Sequence, residues 1–221
     1  MKKDTPQAPH TRLMEVFDLL LESYGPLNWW PADTPFEVCV GAILTQNTNW
    51  LNVEKAIRNL KKEGVLSMEA LWDIDRGRLA ELIRPSGFFN VKSARLKDFV
   101  GWVADRHGSL DAMFEGDWQV LREELLAVRG IGRETCDSIL LYAGGKPSFV
   151  VDAYTKRLFS RLGLVDEADD YERVRALFMG ALPHDRALFN EYHALIVEHC
   201  KRHCRKKPLC DGCPLEGLSR N

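Results

Sequence analysis

Leu125–Asp152 reads LLAVRGIGRETCDSILLYAGGKPSFVVD: an apolar helical run, a Gly130-Ile131-Gly132 turn, a second helical run and a single acid, Asp152. The two glycines flank one apolar residue. Without Cβ atoms they admit positive φ and let a neighbouring surface touch the main chain. A helix starts after the turn, so the amides of Ile131, Gly132 and Arg133 are expected to point outward at the positive end of its dipole, where an anion would be held. Cys136, Ile139, Leu140 and Ala143 recur at helical spacing and give the second helix one buried stripe. A helix, a Gly-x-Gly hairpin and a second helix form a helix-hairpin-helix, which grips a DNA phosphate without reading sequence. The same residues also describe an ordinary corner between helices with glycine at the C-cap.

Composition bounds what surrounds this stretch. The chain has 221 residues, 45% of them hydrophobic, enough for one large domain or two small ones with a real core. It has no run of about 18 apolar residues and no basic-then-apolar amino terminus, which argues against a membrane span or a signal peptide and makes cytoplasmic the default. A net charge of -2 excludes a uniformly basic nucleic-acid binder and leaves local patches open.

Taken in order, the first eleven residues are polar and proline-containing, a loose leader. Leu13, Val16, Phe17, Leu20 and Leu21 then recur at helical spacing up to Gly25-Pro26. Trp29 and Trp30 follow in a loop between prolines, too short for both to face a core, so at least one is expected to line a pocket or an interface. Phe36–Leu44 is a short apolar helix that ends in the polar junction Thr45-Gln46-Asn47-Thr48-Asn49 before Trp50. Helices are expected over 50–62, 68–72, 76–83 and 91–106, with the break Arg84-Pro85-Ser86-Gly87-Phe88-Phe89-Asn90 before the last. Others are expected over 118–128, 153–162, 171–182 and 186–200. No alternating strand pattern of useful length occurs, so the fold class is all-α.

Four blocks, LTQNT (44–48), IRPSGFFNVKSARL (83–96), VRGIGRETCDSIL (128–140) and VVDAYTKRL (150–158), resemble in order and spacing the endonuclease III superfamily of helix-hairpin-helix (HhH-GPD) DNA glycosylases. The likeness spans nearly the whole chain. NWWPADTPFE (28–37), TQNTNW and RPSGFFN are most similar to the bacterial 3-methyladenine DNA glycosylase branch. The resemblance implies two helical domains with double-stranded DNA bound between them. The boundaries it implies are a central domain over 35–150 carrying the hairpin and a terminal domain from 1–34 and 151–221; a monomer is expected.

Within that frame Asp152 suits the chemistry. Breaking an N-glycosidic bond builds positive charge on the sugar, and a nearby carboxylate stabilises it and orients the attacking water. Asp152 also precedes a helix, where its plain role is an N-cap. Bifunctional relatives carry, just after the hairpin, a lysine that forms a Schiff base and nicks the strand; Glu134 stands at the matching position here and has no amine to offer. A monofunctional enzyme is therefore expected. The damaged nucleotide must leave the stack; by resemblance Gln46 enters the gap and Phe88 is the apolar wedge. Trp50 with Trp29 or Trp30 would wall the flipped base, since an indole face attracts a cationic alkylated base by about 0.5–2 kcal/mol. Two other functions remain open at this point: a glycosylase for pyrimidine lesions or mismatches, and a non-catalytic helix-hairpin-helix DNA-binding protein.

Of the six cysteines, Cys39 and Cys136 lie singly in apolar helical segments and belong to the core. Cys200, Cys204, Cys210 and Cys213 crowd into fourteen residues, which in a cytosolic chain points to metal rather than disulfides. Four thiolates hold a [4Fe-4S] cluster or tetrahedral zinc, and the family context favours the cluster, although the spacing differs from typical endonuclease III relatives. Lys201, Arg202, Arg205, Lys206 and Lys207 surround these cysteines as a candidate phosphate-binding patch. His193, His199 and His203 show no partner pattern that marks them as ligands.

Overall fold

The computed structural model describes residues 9–29 and 32–218. Among these the regular structure is helical, with no strand: α1 (Pro9–Tyr24), α2 (Pro35–Leu44), α3 (Trp50–Glu63), α4 (Met68–Asp73), α5 (Arg76–Leu82), α6 (Phe89–His107), α7 (Leu110–Glu115), α8 (Trp118–Ala127), α9 (Arg133–Ser138), α10 (Ala153–Arg161), α11 (Tyr171–Ala181) and α12 (Arg186–Arg202). No helix among them is long and apolar enough to cross a membrane.

Most of these starts are written in the sequence. Thr34, Asn49, Ser67, Asp75, Ser109, Asp117, Asp152, Asp170 and Asp185 each accept a backbone N–H from the first turn of the following helix. They satisfy donors that have no partner inside the helix, each contributing about 1 kcal/mol. Gly64, at φ 72°, closes α3 in the left-handed conformation.

The structure departs from the sequence expectations in three places. Helix α1 begins at Pro9, inside the stretch read as a loose leader, whose first eight residues lie outside the described ones. Helix α7, capped by Ser109 and six residues long, is absent from the sequence expectation. The second hairpin helix runs as α only to Ser138 and continues as a π turn, Ile139–Ala143, in which Gly144 N–H reaches back to Ile139 O at 3.0 Å. Cys136, Ile139 and Leu140 are buried as the stripe requires, while Ala143 is half-buried.

The chain divides into two compact units, Pro31–Lys146 and a second formed from Met1–Trp30 with Pro147–Asn221. The first is built around α2, whose residues 36–44 are all buried, packed against α3, α6, α9 and the π turn. Its core takes in Cys39, Val40, Leu60, Leu96, Phe99, Leu125, Cys136 and Ile139 at 0% exposure, each apolar side chain contributing about 1.5–3 kcal/mol. Inside it, Arg122 on α8 donates twice to the fully buried carboxylate of Asp137 on α9, at 2.8 and 3.0 Å, which fixes the two arms of the hairpin.

The second unit has an aromatic core. Phe149 stacks on Phe178 with centroids 3.9 Å apart and meets Phe189 edge-on at 5.3 Å. The fully buried Tyr192 on α12 donates its hydroxyl to Leu13 O at 2.6 Å, tying the carboxyl-terminal helix to α1.

Candidate functional site

Asp152 caps α10. Its Oδ1 accepts from Thr155 N–H at 2.7 Å and Thr155 Oγ1 at 2.9 Å, and Thr155 Oγ1 in turn receives the Asp152 N–H, completing a capping box. Its Oδ2 faces Nε2 of His193 at 3.7 Å. Burial pushes the carboxyl upward, but His193 and the Thr155 donors outweigh it and hold the group below its usual 3.8, so it is a carboxylate at neutral pH. The cap and the candidate catalytic group are thus one residue.

His193 shows no partner pattern in the sequence; the fold places it beside Asp152. It sits in the middle of α12 among Tyr192, Ala194, Leu195 and Ile196, all buried, and its ring lies 5.7 Å from that of Trp29. The one signal available beforehand was a histidine inside an otherwise apolar buried run. One residue pair earlier on α12, the Glu191 carboxylate accepts the N–H groups of Leu27 at 2.5 Å and Asn28 at 3.2 Å. That contact anchors the loop from which Trp29 reaches His193. Trp30 lies outside the described residues.

In the other unit Gln46 is tied to the hairpin. Its Nε2 donates to Gly130 O and to Thr135 Oγ1, both at 2.9 Å, and its Oε1 accepts from Arg95 Nη1. Gly130 stands at φ 87°, and a Cβ there would lie 2.5 Å from Arg95 Cγ, so this position takes only glycine. Gly132 differs, with φ −89° and open space around an added Cβ. The turn itself therefore does not require glycine at this position. The Ile131 N–H, expected to point outward, is instead donated to Val128 O at 3.1 Å, and the Ile131 side chain is buried. The outward-facing part of the turn is therefore Gly132 and Arg133, both exposed.

Phe88 is 67% exposed and adopts a left-handed backbone, φ 45°, at the head of α6. A bulky residue there is strained by about 1–3 kcal/mol, and its ring buries little in return. Among the described residues the non-glycine positive-φ positions are Asn28, Asn47 and Phe88. The first adjoins Trp29, the second adjoins Gln46 and the third is the wedge candidate itself. Strain is thus gathered at the candidate contacts. Trp50, half-buried at the start of α3, lays its indole 3.6 Å from where a Cβ of Gly41 would be.

At the carboxyl end, Cys204 Sγ accepts from Arg161 Nη1 at 3.2 Å, and Cys200 Sγ lies 3.6 Å from Tyr154 O. The neighbouring Cys200 thiol, with Arg161 and Arg157, pulls Cys204 down to about 6, while Cys204 and burial push Cys200 upward. Cys213 approaches His199 Nε2 at 3.8 Å, and Cys210 is exposed. Among the described residues no three His, Cys, Asp or Glu side chains already stand as a metal site. A donor set of cysteines with one arginine-stabilised thiolate suits an all-cysteine cluster. The five cations of the expected patch are exposed, but Arg202 is paired with Glu198 and lies over the Tyr24 ring. Arg157 and Arg161, which donate to the carbonyls of Cys204, Arg205 and Lys206, hold the loop and were missed.

Comparison with known proteins accords with this all-α fold. The sequence profile of the HhH-GPD superfamily base excision DNA repair protein matches residues 40–184. A protein of Methanocaldococcus jannaschii named as a DNA repair glycosylase is 52% identical over 206 residues, 92% of this chain and 94% of that one. The crystal structure of the H. pylori 3-methyladenine DNA glycosylase MagIII bound to 1,N6-ethenoadenine superposes with a TM-score of 0.76 at 31% identity, covering 89% of this chain and 98% of that one. An endonuclease III in non-covalent complex with DNA superposes with a TM-score of 0.82 at 21% identity, over 97% of this chain and 96% of that one, a likeness of fold.

Proposed function

The chain belongs to the HhH-GPD superfamily of base excision DNA repair proteins and is a DNA glycosylase, and we propose that it is monofunctional and removes alkylated purines such as 3-methyladenine from double-stranded DNA. The observation that carries this reading is Asp152, a carboxylate held ionised at the head of α10 with Oδ2 turned to His193. When the C1′–N bond breaks, its electron pair leaves with the base and the sugar becomes cationic. Asp152 stabilises that cation and takes the proton of the water whose oxygen bonds to C1′. An alkylated base is already charged, so it leaves with little acid assistance.

Glu134, in the first turn of α9, supports the absence of strand cleavage, because a carboxylate cannot form a Schiff base. Trp29 and Trp50 support a flat cationic base, which an indole face attracts. The likeness to the H. pylori enzyme over nearly all of that protein supports the same lesion class. Gly132 and Arg133 would meet a DNA phosphate, and Gln46 and Phe88 would fill and wedge the stack. Cys200, Cys204, Cys210 and Cys213 would hold a [4Fe-4S] cluster, which stiffens the basic loop.

The test is base release from duplexes carrying 3-methyladenine, uracil, thymine glycol or a T·G mismatch, read with and without alkali. Release of 3-methyladenine with strand cleavage only after alkali is expected. Release from the pyrimidine substrates alone would sink the lesion assignment, and cleavage without alkali the monofunctional one. A colourless, zinc-containing protein would rule out the cluster.

A further inference from the structure

Two cations on α6 connect the elements that the proposed function assigns to the DNA stack. Lys92 is 1% exposed, and its ammonium donates to Leu44 O at 2.8 Å and to Ser86 O at 2.6 Å. Leu44 is the last residue of α2, two positions before Gln46; Ser86 ends the short turn two positions before Phe88. One buried nitrogen therefore spans the backbone roots of both probing side chains. Arg95, three residues on, donates to the Gln46 carboxamide while its stem lies against Gly130.

Neither contact is needed simply to fill the core. Burying an ammonium among apolar side chains is unfavourable unless its donors are used, and burial together with Arg95 pulls Lys92 down to about 8. An unbranched apolar side chain of similar length would occupy the same space without that penalty. What such a side chain lacks is the pair of bonds that fixes one loop to the other. The Gln46 amide is likewise oriented at both ends, oxygen to Arg95 and nitrogen to the hairpin, so its rotamer is chosen before DNA arrives.

We propose that Lys92 and Arg95 are positioning residues for base flipping: Lys92 sets the separation of the Gln46 and Phe88 loops, and Arg95 orients the Gln46 carboxamide on the hairpin. The inference rests on the stack-filling roles given above to Gln46 and Phe88. Neither cation touches the reacting atoms; both act on how easily the damaged nucleotide leaves the stack.

The experiment compares wild type, Lys92→Met, Arg95→Met, Gln46→Ala and Gln46→Ala/Arg95→Met on the base the enzyme releases. That base is presented in duplex, in single-stranded DNA, and in duplex opposite an abasic site, where pairing is already broken. Each positioning variant is expected to lose roughly tenfold or more of single-turnover release from paired duplex and to stay within about twofold of wild type on the other two substrates. Arg95→Met is expected to add less than about twofold in the Gln46→Ala background, because it works through Gln46. Proportional loss on all three substrates, full additivity, or no loss on paired duplex would overturn the proposal. Should Lys92→Met fail to fold by circular dichroism, the half-exposed Arg95 carries the test with its double mutant. Wild type that releases no base defeats the functional reading instead. In that case the fluorescence of 2-aminopurine beside the lesion still reports stack opening, and an equal rise with wild type and both variants would refute the positioning roles.

Discussion

Oδ2 of Asp152 faces Nε2 of His193 at 3.7 Å while Oδ1 is occupied twice by Thr155. The carboxylate is thereby divided, one oxygen committed to the helix cap and the other available to the reaction. Asp152→Asn keeps an oxygen for the cap and removes the charge. Base release is expected to fall roughly 10³-fold with little change in melting temperature, since Asn caps a helix about as well as Asp. Single-turnover kinetics and thermal melts on one preparation check both halves. His193→Gln, which keeps a polar side chain of similar reach, is expected to lower release by roughly 10²-fold at unchanged duplex affinity.

Acid should unmask the same carboxylate. The folded Asp152 lies below 3.8, so as pH falls the unfolded chain takes up this proton first. The stability it contributes is whole above the unfolded value and is lost as pH drops through the lower folded value. The stability of wild type relative to Asp152→Asn is expected to be constant from neutral pH to about 4 and to fall below it. Urea melts across that range measure it.

The two hairpin glycines should separate cleanly. Gly130→Ala meets both a positive φ and Arg95 Cγ at 2.5 Å, and a loss of about 1–3 kcal/mol in urea melts is expected. Gly132→Ala has an ordinary φ of −89° and open space, so stability should stay within about 0.5 kcal/mol. Duplex affinity should nevertheless fall roughly tenfold, because the new methyl stands where a phosphate must approach the amides.

The buried pair inside the hairpin arms is a stability element. Asp137→Asn leaves the Arg122 guanidinium facing a neutral amide at a fully buried position, and a loss of about 3–5 kcal/mol is expected. Arg122→Met/Asp137→Leu together should recover most of it, as an apolar pair removes both charges from the interior. Equal loss in the single and double variants would contradict this account.

Local signals carried most of the fold. Apolar spacing fixed the long helices to within a residue or two at most ends, and Asp152 stood out because a lone acid followed Phe149-Val150-Val151 at a helix start. What escaped depended on partners far along the chain. His193 lies 41 residues from Asp152, Arg95 lies 49 from Gln46, and Arg161 lies 43 from Cys204. No spacing rule on one helix reports such pairs. The π turn was invisible for another reason: its residues keep the apolar pattern of an α-helix, and only the backbone bond from Gly144 to Ile139 distinguishes it.

Lys92 offers a pH signature of the same direction as that of Asp152, but in the alkaline range. Its folded value of about 8 lies below the 10.5 of the exposed side chain, because burial and the neighbouring Arg95 disfavour the charge. Between those values the unfolded chain binds the extra proton, so stability rises with pH through the window. Wild type is expected to gain roughly 2–3 kcal/mol relative to Lys92→Met between pH 8 and 10.5. Tyr24, raised to about 12, and the buried Cys39 thiol are common to both proteins and cancel in the difference. Below pH 8 the difference should be flat, and a slope there, or none above it, would mean that the ammonium is better solvated by its two carbonyls than its burial implies.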